Sequence, residues 1–170
     1  MIKMIKYQTE IFIGMYLFMT DELKFVELFA DGSCSGNPGP GGWGTILRFG
    51  TTEKELSGGA KETTNNRMEI TAVLEGLRAL KYPCRVKITT DSQYVFNSVT
   101  KGWAEGWKKN NWVKKDKKPA LNADLWDELL TELAKHVVEF QWIKGHNGHS
   151  ENERCDALAV AQTEKFKAGI

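Results

Sequence analysis

The chain has 170 residues, 41% hydrophobic and 26% charged, with only 4 prolines; this suits one well-covered core and excludes collagen-like, disordered and multi-spanning membrane chains. Its 23 basic and 22 acidic residues sum to +1, a total that taken alone argues against a nucleic-acid partner. Cys34, Cys84 and Cys155 are odd in number and far apart, with no CxxC pair, so they read as buried free thiols of a reducing compartment rather than a disulfide framework or zinc knuckle.

At the N-terminus, Ile11 to Met19 (IFIGMYLFM) follows Lys3 and Lys6, but it is too short to span a bilayer, and Thr20-Asp21-Glu22 offers no small-residue cleavage site. Residues 1–22 are expected to be an extension, disordered or arising from an upstream start, with the working chain opening near Met19. Lys24 to Ala30 alternates polar and apolar residues into Asp31-Gly32, the pattern of a strand entering a turn. Gly32 to Gly44 holds six glycines and two prolines and is expected to be a tight, irregular loop. Strands are predicted over Trp43 to Phe49 and Glu53 to Gly59, completing an antiparallel meander. Helical spacing and Pro83 predict a helix over Asn66 to Leu80. A strand follows over Arg85 to Thr90, then a helix over Ser92 to Val99, a Lys/Trp segment over Lys101 to Lys118, and a helix from Asn122 to about Lys135. The last strand is Val137 to Ile143. After a Gly/His loop, Ser150-Glu151-Asn152-Glu153 fits a capping box for a final helix. The expected fold is α/β: a five-stranded mixed sheet flanked by helices, three antiparallel strands followed by two parallel ones.

Asp31 and Asp91 end predicted strands, and Glu69 and Asp156 lie in the first turns of predicted helices. Functional groups of α/β sheets gather beyond strand ends, so four carboxylates converge if the two strands are neighbours. Like charges at close range raise one another's pKa, and a hard divalent cation relieves the conflict, since Mg²⁺ prefers oxygen ligands. Taken singly, each acid also suits an ordinary turn or helix start.

The surroundings of these acids are more specific. Asp31-Gly-Ser-Cys-Ser-Gly-Asn-Pro-Gly-Pro-Gly-Gly-Trp-Gly44, Thr63-Thr-Asn-Asn-Arg-Met-Glu69, Thr90-Asp-Ser-Gln-Tyr94 and Lys144-Gly-His-Asn-Gly-His-Ser-Glu-Asn-Glu-Arg-Cys-Asp156 resemble the signature segments of the bacterial-type ribonuclease HI family. The four blocks stand in the family's order, and the resemblance runs from about Lys24 to Ala168. It implies a ribonuclease H-like fold, with residues 23–170 as one domain and a basic protrusion at about 101–118. The implied activity is endonucleolytic hydrolysis of the RNA strand of RNA–DNA hybrids, leaving 5′-phosphate and 3′-hydroxyl ends. It further implies that Asp31, Glu69, Asp91 and Asp156 hold two Mg²⁺ ions, which Mn²⁺ often replaces. Such a pair activates the attacking water and stabilises the departing 3′-oxygen. His146 corresponds to the family's loop histidine, with a proton-shuttling or product-release role that an imidazole titrating near about pH 6.5 suits.

His146 and His149 form an HxxH pair, but zinc needs two further ligands and Cys155 has no partner thiol nearby in sequence. His149 is read as structural, and His136 as a surface residue stabilised by a helix dipole. By resemblance, Asn37, Asn65, Asn66 and Gln93 read the RNA 2′-hydroxyls and Thr64 touches a DNA phosphate. Asn65 also suits a helix N-cap, and Asn37 a turn beside Pro38. The Gly-rich segment lacks the Gly-Lys-Ser/Thr ending of a P-loop.

Lys101 to Lys118 carries seven lysines against Glu105 and Asp116, a local +5 that leaves −4 for the remainder. It is expected to be a helical hairpin whose Trp103, Trp107 and Trp112 pack on the body. Its lysines, Lys108, Lys109, Lys114 and Lys115 among them, would contact phosphates, giving sequence-independent, salt-sensitive affinity. The near-neutral total is thus a cancellation between an acidic body and a basic arm. A cytoplasmic, monomeric enzyme without membrane association is expected. The rival readings are a resolvase or transposase catalytic domain, which leaves Thr-Asn-Asn-Arg-Met-Glu unexplained, and a silent hybrid-binding module, which loss of one acid would favour.

Overall fold

The computed structural model describes residues 23–145 and 148–170; the N-terminal extension and His146 fall outside them. The strands are β1 (Phe25–Cys34), β2 (Gly39–Phe49), β3 (Thr52–Thr63), β4 (Arg85–Thr90) and β5 (Val137–Trp142). The helices are α1 (Asn65–Arg78), α2 (Gln93–Thr100), α3 (Trp103–Lys109), α4 (Ala123–Leu133) and α5 (Ser150–Lys167). The strands form one sheet in the order β3-β2-β1-β4-β5. Pairings β3–β2 and β2–β1 are antiparallel, whereas β1–β4 and β4–β5 are parallel, as expected.

Alternation along β1 divides the interior. Val26, Leu28 and Ala30 join Ile70, Val73, Leu74 and Leu77 of α1, Val86 and Ile88 of β4, and Trp126 and Leu129 of α4 in the main core. Phe29 faces the other way, into a smaller cluster with Ile46 and Cys155 of α5. Burial of this apolar surface, at roughly 25 cal/mol per Å², holds helices on both faces of the sheet.

The Gly32 to Gly44 segment is not an irregular loop. Gly32 to Cys34 continue β1, and Gly39 to Gly44 open β2, paired from Asp31↔Gly44 to Cys34↔Gly41. Its glycines serve a close helix–sheet contact: a methyl at Gly42 would overlap the Ala159 carbonyl oxygen, and one at Gly44 that of Cys155. The bend itself is Ser35 to Pro38, where Gly36 has φ +94°.

Helix starts also depart from expectation. Thr64, not Asn65, caps α1, its side chain accepting from Arg67 N at 3.3 Å. The capping box at Ser150 does not form: His149 is the N-cap without a side-chain bond, and Ser150 Oγ donates to Glu151 Oε2 at 3.0 Å. The residue that would reach back in such a box, Glu153, is exposed, while Glu151 is ion-paired to Arg48 of β2. His136 is half-buried rather than a surface cation; its Nδ1 accepts from Cys84 N at 3.2 Å, and burial lowers its pKa. Of the thiols, Cys84 and Cys155 are buried and Cys34 is half-buried.

The basic segment forms α3 followed by a turn closed by a Val113–Pro119 bridge, not a helical hairpin. Trp107 and Trp112 pack against the main core, and Trp107 meets Trp126 edge-on at 6.3 Å. Trp103 is 42% exposed, with Lys101 Nζ 5.1 Å from its ring centre.

Candidate active site

The parallel ladder of β1 on β4 ends at Ala30↔Thr90, and Asp31 and Asp91 are the next residues along each chain. A parallel ladder that ends in register thus delivers two acids to one place. Asp31 is not the end of its strand as expected, since β1 continues to Cys34 against β2 alone. The third acid comes from α1. Glu69 lies in its second turn rather than its first, and a Cβ on Gly32 would stand 2.5 Å from Glu69 N. Only a glycine after Asp31 lets the helix approach this closely.

Carboxylate oxygens of Asp31, Glu69 and Asp91 lie within 4.8 Å of one another. Asp156, in the second turn of α5 rather than the first, is outside that set, although its charge is one of those raising the Asp31 pKa. Asp31 and Glu69 are each 6% exposed. Burial, then the Asp91 charge, push the Asp31 carboxyl up to about 7 against one lowering contact, its hydrogen bond from Gly32 N at 2.8 Å. Glu69 is raised well above the usual carboxylate range by burial first, then by Asp31 and Asp91. Its Oε1 accepts from Asn65 Nδ2 at 3.4 Å, while Oε2 is buried without a partner among the described residues. Three crowded acids, one with an orphaned oxygen, form an all-oxygen donor set of the kind that fits a hard cation.

The other candidate residues surround this edge. Asn37 Oδ1 accepts from Asn65 N at 3.2 Å, which joins the β1–β2 bend to the start of α1. Asn37, Asn65, Asn66 and Gln93 are exposed, as amides that meet a ligand must be. Thr64 is half-buried and committed as the cap. In the basic arm, Lys108 Nζ pairs with Asp127 of α4 at 2.7 Å. Lys109 and Lys114 have only longer pairs, with Glu105 and Asp116 at 3.9 Å each. Lys115 is exposed.

Sequence reasoning missed Asn152, whose Nδ2 donates to Asp91 Oδ2 at 3.3 Å. A signal existed: Asn152, Cys155, Ala159 and Thr163 recur at helical spacing as the buried positions of α5, and an amide at such a position calls for a polar partner. It also missed Arg48, which pairs with Glu27, Glu53 and Glu151 and so ties the start of α5 to the sheet.

Comparisons with known proteins agree with this geometry. The sequence model of the RNase H family matches residues 24–164. A ribonuclease H of Nitratidesulfovibrio vulgaris is 61% identical over 140 residues, covering 82% of this chain and 90% of its own. One from Hydrogenovibrio crunogenus is 62% identical over 137 residues, covering 81% and 94%. Among solved structures, LC9-RNase H1, a type 1 RNase H with the type 2 active-site motif, superposes with a TM-score of 0.76 at 32% identity, covering 85% of this chain and 74% of its own. LC11-RNase H1, solved in complex with RNA/DNA hybrid, shares the fold with a TM-score of 0.63 at 24% identity, over 82% and 97%. The family signature therefore spans every strand and helix that contributes an acid to the crowded sheet edge, and the chain is an enzyme of the ribonuclease H family.

Proposed function

We propose that residues 23–170 form one domain that hydrolyses the RNA strand of RNA–DNA hybrids, leaving 5′-phosphate and 3′-hydroxyl ends. The observation that carries the reading is the meeting of Asp31, Glu69 and Asp91 within 4.8 Å, with Glu69 Oε2 buried and unpartnered among the described residues, in a chain of this family. Asp31, Glu69 and Asp91, with Asp156 alongside, would hold two Mg²⁺ ions, or Mn²⁺ in their place. Bound there, the cations supply Lewis-acid stabilisation of the developing phosphoryl charge and a water acidified to nucleophilic strength.

The chain's own groups do the rest. Burial and mutual repulsion keep Asp31 and Glu69 from ionising freely, so the site gains from binding positive charge. Asn37, Asn65, Asn66 and Gln93 present exposed amides along the edge, suited to 2′-hydroxyls that both donate and accept. Thr64 is assigned a phosphate of the DNA strand. Lys109, Lys114 and Lys115, with Lys108 once freed from Asp127, give the arm its phosphate affinity. His146 is assigned the proton-shuttling or product-release role. The enzyme is taken to act as a monomer in the cytoplasm; no helix among the described residues is long and apolar enough to cross a membrane.

The test is a parallel nuclease assay on hybrid, duplex RNA and duplex DNA, each with Mg²⁺ and with EDTA. Cleavage of the hybrid alone, confined to its RNA strand and abolished by EDTA, is expected. Equal cleavage of duplex DNA, or activity that persists in EDTA, would overturn the reading.

A further inference from the structure

The Asp91 carboxylate is seated between two groups that the family resemblance leaves unassigned. On one side, Asn152 Nδ2 donates to Asp91 Oδ2 at 3.3 Å. On the other, a Cβ on Gly145 would lie 2.5 Å from the same oxygen, so the chain after β5 passes where no side chain fits. Both contacts fall on a single oxygen of one acid.

Asn152 is 3% exposed, yet its Oδ1 has no partner among the described residues. Turning the amide over would set Oδ1 against Asp91 Oδ2, acceptor against acceptor, so chemistry directs the nitrogen to the carboxylate. A buried acceptor without a partner is costly, and the donor contact is kept despite that cost. The helix carrying Asn152 is held firmly on either side of it. Glu151 pairs with Arg48, and Cys155 Sγ donates to Phe29 O at 3.3 Å. The amide therefore stands on a rigid support, as a group that orients another must.

We infer that Asn152 and Gly145 are positioning residues for the Asp91 carboxylate: the amide draws Oδ2 toward α5, and the absent side chain of Gly145 leaves the space it occupies. This rests on the reading of Asp31, Glu69 and Asp91 as metal ligands. Partners that orient a ligating carboxylate typically carry about 10–100-fold in metal affinity or activity.

The experiment titrates Mg²⁺ into the purified full-length protein by calorimetry, with circular dichroism to establish folding, and measures kcat and KM on a hybrid. Asn152→Leu keeps the volume and removes the donor. Its Mg²⁺ affinity should fall about tenfold or more, with kcat falling alongside and KM for the hybrid changing less than twofold. Gly145→Ala, which leaves the amide intact and crowds the oxygen from the other side, should move the same quantities in the same direction. A folded Asn152→Leu protein whose Mg²⁺ affinity stays within twofold of wild type overturns the inference, whatever its turnover. If Asn152→Leu does not fold, unchanged affinity in Gly145→Ala overturns it. Wild-type protein that binds no Mg²⁺ and cleaves hybrid in EDTA would instead sink the metal reading, and the positioning role with it.

Discussion

Replacing Asp31 with Asn should make the metal-free protein more stable while abolishing cleavage. The carboxyl titrates at about 7 in the folded chain against an ordinary 3.8, chiefly because it is buried and because Asp91 stands beside it. Between those values the folded protein binds a proton that the unfolded chain has released. Folding stability therefore falls as pH rises through that window, and the full cost is present above it. At about 1.4 kcal/mol per pKa unit, the interval from 3.8 to about 7 is worth on the order of 4 kcal/mol. Asn is isosteric and neutral, and its carbonyl can still accept from Gly32 N, so the variant escapes the cost. Urea unfolding in EDTA should show Asp31→Asn gaining several kcal/mol over wild type at pH 8 and almost nothing at pH 4. In a chain of this size that gain raises Tm by roughly 10 °C. Added Mg²⁺ should stabilise wild type and leave the variant unmoved. A variant no more stable than wild type at pH 8, or a difference independent of pH, would refute the electrostatic account. Substantial residual Mg²⁺-dependent cleavage would refute the assignment of Asp31 as a ligand.

Changing Lys108, Lys109, Lys114 and Lys115 together to Ala should weaken hybrid binding and flatten its dependence on salt by roughly one unit of logarithmic slope per lost phosphate contact, read from binding isotherms at several salt concentrations. An unchanged slope would move the binding surface away from the arm. Gly44→Ala places a methyl against the Cys155 carbonyl; overpacking of this kind costs about 1–3 kcal/mol, and a urea midpoint matching wild type would show that α5 shifts freely on the sheet.

Local pattern was a good guide to elements whose reasons are local. The alternation of Lys24 to Ala30 and the termination by Pro83 led to strands and a helix close to those observed, and Arg85–Thr90 matched in full. The segment richest in glycine misled, because glycine is a poor strand former and the cause of its presence is distant: Gly42 and Gly44 answer to Ala159 and Cys155. The capping box failed because α5 starts one residue earlier than the box requires, with His149 rather than Ser150 at the cap. At the site, the acids were legible through the motifs around them. Their mutual distance follows from the register of β1 on β4, which no local window contains. Asn152 was hidden because its partner lies 61 residues away. His136 likewise reads as a surface cation until the Cys84 amide that it serves is seen beside it.

The glycine face of β2 also bears on how the chain is made. Its cover, α5, spans Ser150–Lys167 and is made after all five strands. Until then the sheet is open on that side, and the Asn152 amide has yet to reach Asp91. Chain order thus separates two parts of the site: all five strands and α1 precede α5, and Asp91 gains its Asn152 contact only when that helix lies on the sheet. A chain cut before α5 would leave the glycine face of β2 uncovered and Asp91 without the amide that meets it in the folded protein.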